Sequence, residues 1–168
     1  MQLLIVRHAI AADQLKWAAT GRPDDQRPLT DKGRARMKRN AAGIVAALPQ
    51  LDIIATSPFT RAAQTAALLG RAYGKVEVAE VPALGAGGSR DELLEWLSAR
   101  DQEEQVAIVG HEPDLGWLVA WFLGGDGVPA VGMRKGGACL LEFVGHPSPG
   151  RGELKWFLPP SLLRMLVP

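Results

Sequence analysis

Apolar and polar positions along the chain form a pattern of short buried strands separated by amphipathic helices. The first apolar run, LLIV at 3–6, has no polar face, because side chains alternate between the two faces of a strand and all four are apolar. Such a strand is covered on both faces, as in a parallel sheet. It ends at Arg7 and His8, so we expect this polar pair just beyond the strand, where a sheet edge opens into a cleft.

The remaining apolar runs extend this pattern to the end of the chain. Strands are predicted at 52–56, 75–81 and 105–110, and two late strands at 137–145 and 152–158 are joined as a hairpin by the turn-rich HPSPGR. Helices are predicted at 29–49 with Thr30 as N-cap, from Ser57-Pro58 to Gly74, from Ser89 to Arg100, and from Pro113 to Gly124. Residues 8–28 and 124–137 are predicted loops.

Strands that alternate with helices predict an α/β protein with a mainly parallel central sheet and helices on both of its faces, a three-layer α/β/α sandwich. With 168 residues, of which 47% are hydrophobic, the chain is long enough for one domain with a substantial core and too short for two ordinary ones. We therefore expect a single domain over residues 1–168, and a monomer.

The cysteine content and the hydropathy of the chain indicate the cellular compartment in which the protein is expected. Cys139 is the single cysteine, which excludes a disulfide within the chain and suits a reducing cytosol. The apolar start is interrupted at Arg7, so it does not resemble a signal peptide, and no apolar run has the length that a bilayer requires. A cytoplasmic protein without a membrane partner is expected.

The charge of the chain is nearly balanced overall but is unevenly distributed. A net charge of +1 offers no bulk attraction for nucleic acid or for an anionic membrane. Residues 1–61 hold ten Lys/Arg and five Asp/Glu, a local +5, whereas the remainder holds nine and thirteen, a local −4. The excess suits an anionic substrate, and a solvated basic helix face around Arg34 to Arg39 explains it equally well.

Chemically capable residues follow three of the predicted strands. Arg7-His8 ends the first, Ser57-Pro58 ends the second with Arg61 one helical turn later, and His111-Glu112 ends the strand at 105–110. Because the carboxyl ends of parallel strands lie together, the sequence predicts that these residues form one site.

Two arginines and two histidines at one point suit the binding and transfer of a phosphoryl group. The guanidinium fork matches phosphate oxygens, and the N-termini of the two following helices favour an anion. One histidine can attack phosphorus while the other donates to its equatorial oxygens, and Ser57 and Glu112 are expected among the substrate-binding residues. Neither a Walker loop nor a metal-ligand cluster is apparent, so we expect no metal and no cofactor.

Each of these residues also has an ordinary structural interpretation. The pair Arg7-His8 would suit a surface loop, His111 could cap the following helix, and Arg61 could be a surface residue paired with an acid. The joint placement at three strand ends favours the functional interpretation. The third histidine, His146, lies in a Pro- and Gly-containing turn and is expected to be exposed and outside the site.

The segments VRHA, SPFTRAAQTA and VGHEP, in this order and separation, resemble the three signatures of the histidine phosphatase superfamily, which has the phosphoglycerate-mutase-like fold. PLTDKGRARM is similar to that family's helix after the first signature, and the short chain looks closest to its SixA-type branch of phosphohistidine phosphatases. The resemblance implies that His8 is the phosphorylated nucleophile, that Arg7 and Arg61 clamp phosphate, and that His111 is the second, electrostatic histidine.

The chain departs from the family pattern at two places. Ala9 replaces the usual glycine after the Arg-His pair, which is tolerable if φ stays negative there. Many phosphomonoesterases of the family carry a glutamate after the third strand as general acid, whereas this chain reads EVPALGAGG. Glu80 comes too early, and Asp91 and Glu92 fall on the next predicted helix, so no proton donor is assigned.

These observations predict a metal-independent phosphatase that hydrolyses phosphohistidine, on a protein, through a covalent intermediate on His8. The first alternative is a phosphatase of small phosphomonoesters or phosphoanhydrides. The second is a non-catalytic phosphate-binding module, against which the presence of both His8 and His111 argues. The expected partner is accordingly a phosphorylated protein or a small phosphorylated molecule, and not nucleic acid.

Overall fold

The strands and helices lie close to where the apolar runs of the sequence predict them. The computed structural model describes residues 1–100 and 102–167. Its strands are β1 (Gln2–Arg7), β2 (Ile53–Thr56), β3 (Glu77–Glu80), β4 (Gln105–Gly110), β5 (Ala138–Glu142) and β6 (Glu153–Leu158). Its α-helices are α1 (Gln14–Ala18), α2 (Asp31–Ala47), α3 (Thr60–Ala72), α4 (Arg90–Ser98), α5 (Asp114–Gly124) and α6 (Pro160–Leu163).

All six strands form one sheet, in the order β3-β2-β4-β1-β5-β6. β1 pairs with β4 in parallel from Gln2 opposite Gln105 to Arg7 opposite Gly110, and β2 is parallel to both β4 and β3. β5 and β6 add an antiparallel hairpin at the other edge. The predicted mainly parallel sheet is confirmed, and the carboxyl ends of β1, β2 and β4 are neighbours.

Helices cover both faces of the sheet, so the predicted three-layer α/β/α sandwich is confirmed. On one face Leu3 and Ile5 pack in an apolar cluster that includes residues of α4 and α5. On the other face Leu4 and Val6 pack in a cluster that includes residues of α2, α3 and α6. All four of these β1 side chains are fully buried. The uniform apolarity of the first run therefore reflects its place in the middle of the sheet.

The structure differs from the sequence prediction in three local respects. The segment predicted as loop from 8 to 28 contains α1 and a 3-10 turn at Asp24–Gln26, and the short α6 was not predicted. The helix predicted from Ser57-Pro58 begins instead at Thr60, with Phe59 as N-cap and no side-chain cap. Ser57 is therefore not the N-cap of this helix, and its hydroxyl contacts His111 instead.

Candidate active site

The residues predicted at the strand ends meet in one open cleft of about 640 Å³. The cleft is lined by Arg7, His8, Ala11, Ala12, Asp13, Gln14, Asp24, Arg27, Thr30, Arg61, His111, Glu112 and Lys135. Among the titratable side chains, the sequence predicted Arg7, His8, Arg61, His111 and Glu112 in this site and missed Asp13, Asp24, Arg27 and Lys135. The parallel register of β1, β2 and β4 is what brings the predicted residues together.

His8 lines the cleft, and its hydrogen bonding determines which ring nitrogen is available. Its Nδ1 lies 2.7 Å from the carbonyl oxygen of Ala9. A carbonyl oxygen only accepts, so Nδ1 carries the proton and donates it, and the neutral ring keeps its lone pair on Nε2. Nε2 of His8 is therefore the candidate nucleophile.

Hydrogen bonds connect the backbone around His8 to the end of β4, to the loop before β5 and to α3. The His8 N–H donates to the carbonyl of Gly110, and the Gly136 N–H donates to the carbonyl of His8. The Ala9 N–H donates to Thr65 Oγ1 at 3.0 Å. Among the described non-glycine residues only Lys75 has a positive φ, so Ala9 meets the condition of a negative φ under which an alanine is tolerable there. The alanine is accommodated without backbone strain.

The environment of His8 favours its neutral form. Burial is the largest cause that lowers its pKa, to about 3, with smaller contributions from His111, Arg61 and Arg7. The hydrogen bond to Ala9 acts in the opposite direction. Burial therefore outweighs the nearby positive charges as the cause of the lowered pKa.

We expect His8 to remain neutral well below neutral pH. An ordinary histidine, with a pKa near 6.5, would be about 97% protonated at pH 5. The depressed pKa of His8 implies that its ring signals in an NMR titration, assigned by their loss in His8→Ala, do not shift between pH 5 and pH 8. A titration midpoint near 6.5 would contradict the buried geometry.

His111 lies beside His8, with ring centroids 5.1 Å apart. Its Nε2 is 2.8 Å from Ser57 Oγ, which accepts from the Phe59 N–H. We assign the Ser57 hydroxyl proton to the bond with Nε2, so that the neutral imidazole carries its own proton on Nδ1. Burial, followed by Arg61, lowers the pKa of His111 to about 4, which keeps the ring neutral. Ser57 thus orients His111.

Arg7 is held in the cleft by an indirect contact with Glu112. Its Nη1 donates to the carbonyl of Met133 at 2.6 Å, and the Met133 N–H donates to Glu112 Oε1 at 2.7 Å. Glu112 was predicted as a substrate-binding residue. It does line the cleft, but its carboxylate already holds the backbone of residue 133, and through it Arg7.

Arg61 projects from the first turn of α3 into a network of charges. Its Nη1 donates to the Asp24 carbonyl at 2.9 Å and lies 3.1 Å from the Asp24 carboxylate. Arg27 Nε contacts the other oxygen of that carboxylate at 2.8 Å. The Arg61 guanidinium also lies over the Phe59 ring, 4.9 Å from its centroid. Asp24 therefore orients two arginines.

Three buried donor atoms of the site have no hydrogen-bond partner among residues 1–100 and 102–167: Arg7 Nε, Arg61 Nε and His111 Nδ1. Buried donors in proteins are nearly always paired. Their grouping in the walls of the cleft that contains His8 would suit an anion with several oxygens. Arg27 and Lys135 add positive charge, and the pKa of Lys135 is lowered by burial, then by Arg7, Arg27 and Arg61.

The acids considered as proton donors lie in different places. Glu80 ends β3 and Asp91 and Glu92 occupy the first turn of α4, and none of them lines the cleft. The pKa of Asp24 is lowered, first by its hydrogen bond with Arg27, so this carboxylate stays ionised and holds no proton to donate. Burial raises the pKa of Glu112, although the Met133 N–H and Arg7 oppose the shift.

The remaining predictions about the site concern metals, membranes and the third histidine. No cluster of three or more His, Cys, Asp or Glu able to hold a metal ion occurs in the described part of the chain. None of the helices in that part is long and apolar enough to cross a membrane. His146 is exposed and lies beside Met1 and Gly145, away from the cleft.

Comparison with known proteins assigns the family. Residues 3–85 match the family model of the histidine phosphatase superfamily (branch 1). An uncharacterized protein of Picosynechococcus sp. (strain PCC 7002) is 32% identical over 95% of this chain and 100% of its own length. The chain belongs to the histidine phosphatase superfamily. The resemblance noted in the sequence is confirmed, and membership supports phosphatase activity.

Relatives within the superfamily include phosphohistidine phosphatases. Phosphohistidine phosphatase SixA of Escherichia coli K12 is 28% identical over 98% of both chains. The structure of the protein histidine phosphatase SixA complexed with tungstate shares the fold, with a TM-score of 0.77, 24% identity and coverage of 97% of this chain and 99% of that one. A mycobacterial glucosyl-3-phosphoglycerate phosphatase also shares it, with a TM-score of 0.68, 18% identity and coverage of 94% and 99%.

Proposed function

We propose that this histidine phosphatase hydrolyses phosphohistidine through a covalent phosphohistidine intermediate on His8. The observation that carries the proposal is the arrangement around Nε2 of His8. The opposite ring nitrogen donates to the Ala9 carbonyl, and Arg7, Arg61 and His111 surround the ring. A neutral, oriented imidazole among anion-binding donors suits nucleophilic attack on a phosphoryl group.

The first step transfers the phosphoryl group to the protein. Nε2 of His8 attacks phosphorus, a bond between Nε2 and phosphorus forms, and the bond from phosphorus to the substrate nitrogen breaks. The departing imidazole keeps the proton on its remote nitrogen and leaves as a neutral ring. In the second step a water molecule attacks phosphorus, the bond to Nε2 breaks, and inorganic phosphate leaves with neutral His8 restored.

Arg7, Arg61 and His111 stabilise charge on the transferring group. Phosphoryl transfer spreads negative charge over the equatorial oxygens, and fixed donors in a partly buried site stabilise that charge without reorganising. The two guanidinium groups are oriented by Met133 and Asp24 respectively. Nδ1 of His111 supplies a neutral donor because Ser57 engages the other ring nitrogen. Ser57 and Glu112 act as positioning residues.

Comparing substrates on one preparation of purified protein tests the proposed function. We expect turnover of phosphohistidine to exceed that of phosphoserine and of sugar phosphates. Efficient hydrolysis of sugar phosphates instead would favour the small-molecule alternative, for which the position of Glu112 in the cleft is the supporting observation. A non-catalytic module would turn over none of them, including the chromogenic p-nitrophenyl phosphate.

Replacement of Arg61 by lysine should lower kcat/KM about tenfold or more, because lysine retains the charge but loses the planar fork and its paired donors. The contact of Arg61 with Asp24 gives the guanidinium a fixed orientation that an ammonium group cannot reproduce. Steady-state kinetics with p-nitrophenyl phosphate provide the measurement, and Arg71→Lys on the exposed end of α3 is the matched control. A near-normal rate in Arg61→Lys would exclude a bidentate clamp.

Treatment with EDTA should leave turnover unchanged. The positive charge that the reaction needs is assigned to Arg7, Arg61 and His111, and no step is assigned to a metal ion. The measurement compares p-nitrophenyl phosphate hydrolysis before and after dialysis against EDTA, with and without added Mg²⁺ or Zn²⁺. Activity that disappears with the chelator and returns with metal would overturn this assignment.

A further inference from the structure

Four cationic side chains form a surface beside the candidate active site, which we call the basic surface: Arg36 and Arg39 of α2, Lys135 of the loop before β5, and Arg164 just after α6. Arg36, Lys135 and Arg164 line one shallow cavity. Arg39 is close enough to Arg164 that, after burial and Arg36, it contributes to lowering the Arg164 pKa. Lys135 also lines the catalytic cleft, so the basic surface begins at its rim.

The basic surface is assembled by close packing of α6 on α2. A β-carbon at Gly43 would lie 1.9 Å from the Leu163 carbonyl oxygen, so only glycine permits this approach of the two backbones. The packing places Arg164 Nη1 2.9 Å from Asn40 Oδ1, and Asn40 Nδ2 donates to the Gly136 carbonyl at 3.0 Å. Gly136 in turn donates to the His8 carbonyl. The surface and the nucleophile are therefore held in a fixed relation.

The charges of the basic surface are not neutralised within the described residues. No carboxylate there lies within 4.0 Å of a cationic nitrogen of Arg36, Arg39, Lys135 or Arg164. The single acid of α2, Asp31, pairs with Arg34 at 3.0 Å. Grouped like charges repel one another, and their combined field attracts anions. The basic surface is thus available to an external acidic group.

The dimensions of the surface decide which kind of anion fits. The cavity between α2 and α6 has a volume of about 50 Å³, against about 300–1,000 Å³ for typical small-molecule sites. Around this cavity, Arg36, Arg39 and Lys135 are exposed, which suits contact with the surface of another molecule. The C-terminal segment that carries Arg164 also exposes Leu162, Met165 and Leu166. Exposed methionine and leucine beside arginine suit contact with a protein.

We propose that the basic surface docks an acidic surface of the protein that carries the phosphoryl group, so that acidic residues near the phosphohistidine contact Arg36 and Arg39 while the phosphoryl group enters the cleft. This proposal rests on the proposed function, because it identifies the carrier of the phosphohistidine as an acidic protein. An anionic membrane is the less suitable partner, since α6, with four residues, is too short to lie in a membrane interface as an amphipathic helix.

The test compares two peptides of equal length, each with a single phosphohistidine. One carries three glutamates on each side of the phosphohistidine, and the other carries glutamine at the same positions. We expect the wild-type protein at low salt to prefer the acidic peptide about tenfold in kcat/KM, with the preference falling as salt screens the charges. In the double variant Arg36→Glu/Arg39→Glu the preference should disappear. Lys135 and Arg164 are not substituted, because Lys135 lines the catalytic cleft and Arg164 donates to Asn40.

A matched control separates local charge from net charge. Lys38→Glu/Arg71→Glu changes the net charge by the same amount at two exposed positions that line neither the cleft nor the cavity between α2 and α6. This variant should keep the preference for the acidic peptide. All variants should hydrolyse p-nitrophenyl phosphate at the wild-type rate, which verifies folding. Equal use of the two peptides by the wild type, or equal loss of preference in both double variants, would overturn the docking proposal.

A separate measurement of peptide binding keeps the test of docking independent of the proposed substrate. If neither phosphopeptide is hydrolysed while p-nitrophenyl phosphate is, the proposed function fails, and docking is then judged from fluorescence anisotropy of a dye-labelled acidic peptide without phosphate. Binding that Arg36→Glu/Arg39→Glu abolishes and the control retains supports docking, and absence of binding refutes it. Binding to phosphatidylglycerol-containing vesicles that depends on Arg36 and Arg39, without a peptide preference, would assign the surface to a membrane instead.

Discussion

Replacing His8 by alanine should reduce turnover by orders of magnitude while leaving vanadate binding intact. The substitution removes Nε2, the atom that forms the covalent bond, and no other described histidine can take its place in the cleft, because His111 is engaged by Ser57. Arg7, Arg61 and His111 keep their own contacts with Met133, Asp24 and Ser57, so the anion-binding donors stay in position. Kinetics with p-nitrophenyl phosphate and calorimetric titration with vanadate provide the two measurements.

The matched control is His146→Ala, which removes an exposed histidine far from the cleft and should retain wild-type turnover. A His8→Ala variant that retained more than about a hundredth of the wild-type rate would show that covalent catalysis at His8 is wrong, since the loss of an essential nucleophile costs far more than that. Loss of both turnover and vanadate binding would indicate a disrupted cleft, and near-UV circular dichroism distinguishes this result from loss of the nucleophile.

The second large effect is expected in the order of substrates: kcat/KM should fall from phosphohistidine to aryl phosphate to alkyl phosphate. An alkyl phosphate must release an alkoxide unless a general acid protonates it, and such an acid contributes about 10²–10⁴-fold. An imidazole leaves as a neutral ring without that help. None of the three acids that line the cleft is assigned as a donor. Asp24 pairs with two arginines, Glu112 accepts from the Met133 N–H, and Asp13 accepts from the Lys16 N–H.

Measurement of all three substrates on one preparation checks this order. Alkyl phosphates turned over as fast as phosphohistidine would mean that a proton donor exists, and the small-molecule phosphatase would become the better assignment. Glu112 and Asp13 are then the residues to examine, since both line the cleft, in place of Glu80, Asp91 and Glu92. Glu112→Gln distinguishes the two roles of this residue, because loss of a proton donor would affect alkyl phosphates alone, whereas a disturbed Arg7 would affect every substrate.

The sequence determined the layers of the fold and the residues at the centre of the candidate site. The runs before Arg7 and before His111 are apolar on both strand faces, which specified two buried strands, because such strands are covered by helices on both sides. Once these strands are parallel, the residues that follow them must meet at one edge. His8, Arg61 and His111 could therefore be predicted together without coordinates.

The tertiary structure alone decided how those residues are oriented and which others join them. Arg27 and Asp24 reach the cleft because the segment after β1 folds back on itself, with a bridge between Ala11 and Leu29, and this return has no periodic signature. Ser57 contacts His111 instead of capping α3. This contact exists because α3 begins later, with Phe59 as its N-cap, and because the ends of β2 and β4 are neighbours in the sheet. The hydrogen bond of His8 Nδ1 to the Ala9 carbonyl is local, but it depends on ring and backbone angles that the sequence pattern does not specify. The grouping of Arg36 with Arg164 depends on contacts between α2 and α6, which are distant in sequence, and local patterns do not encode such contacts.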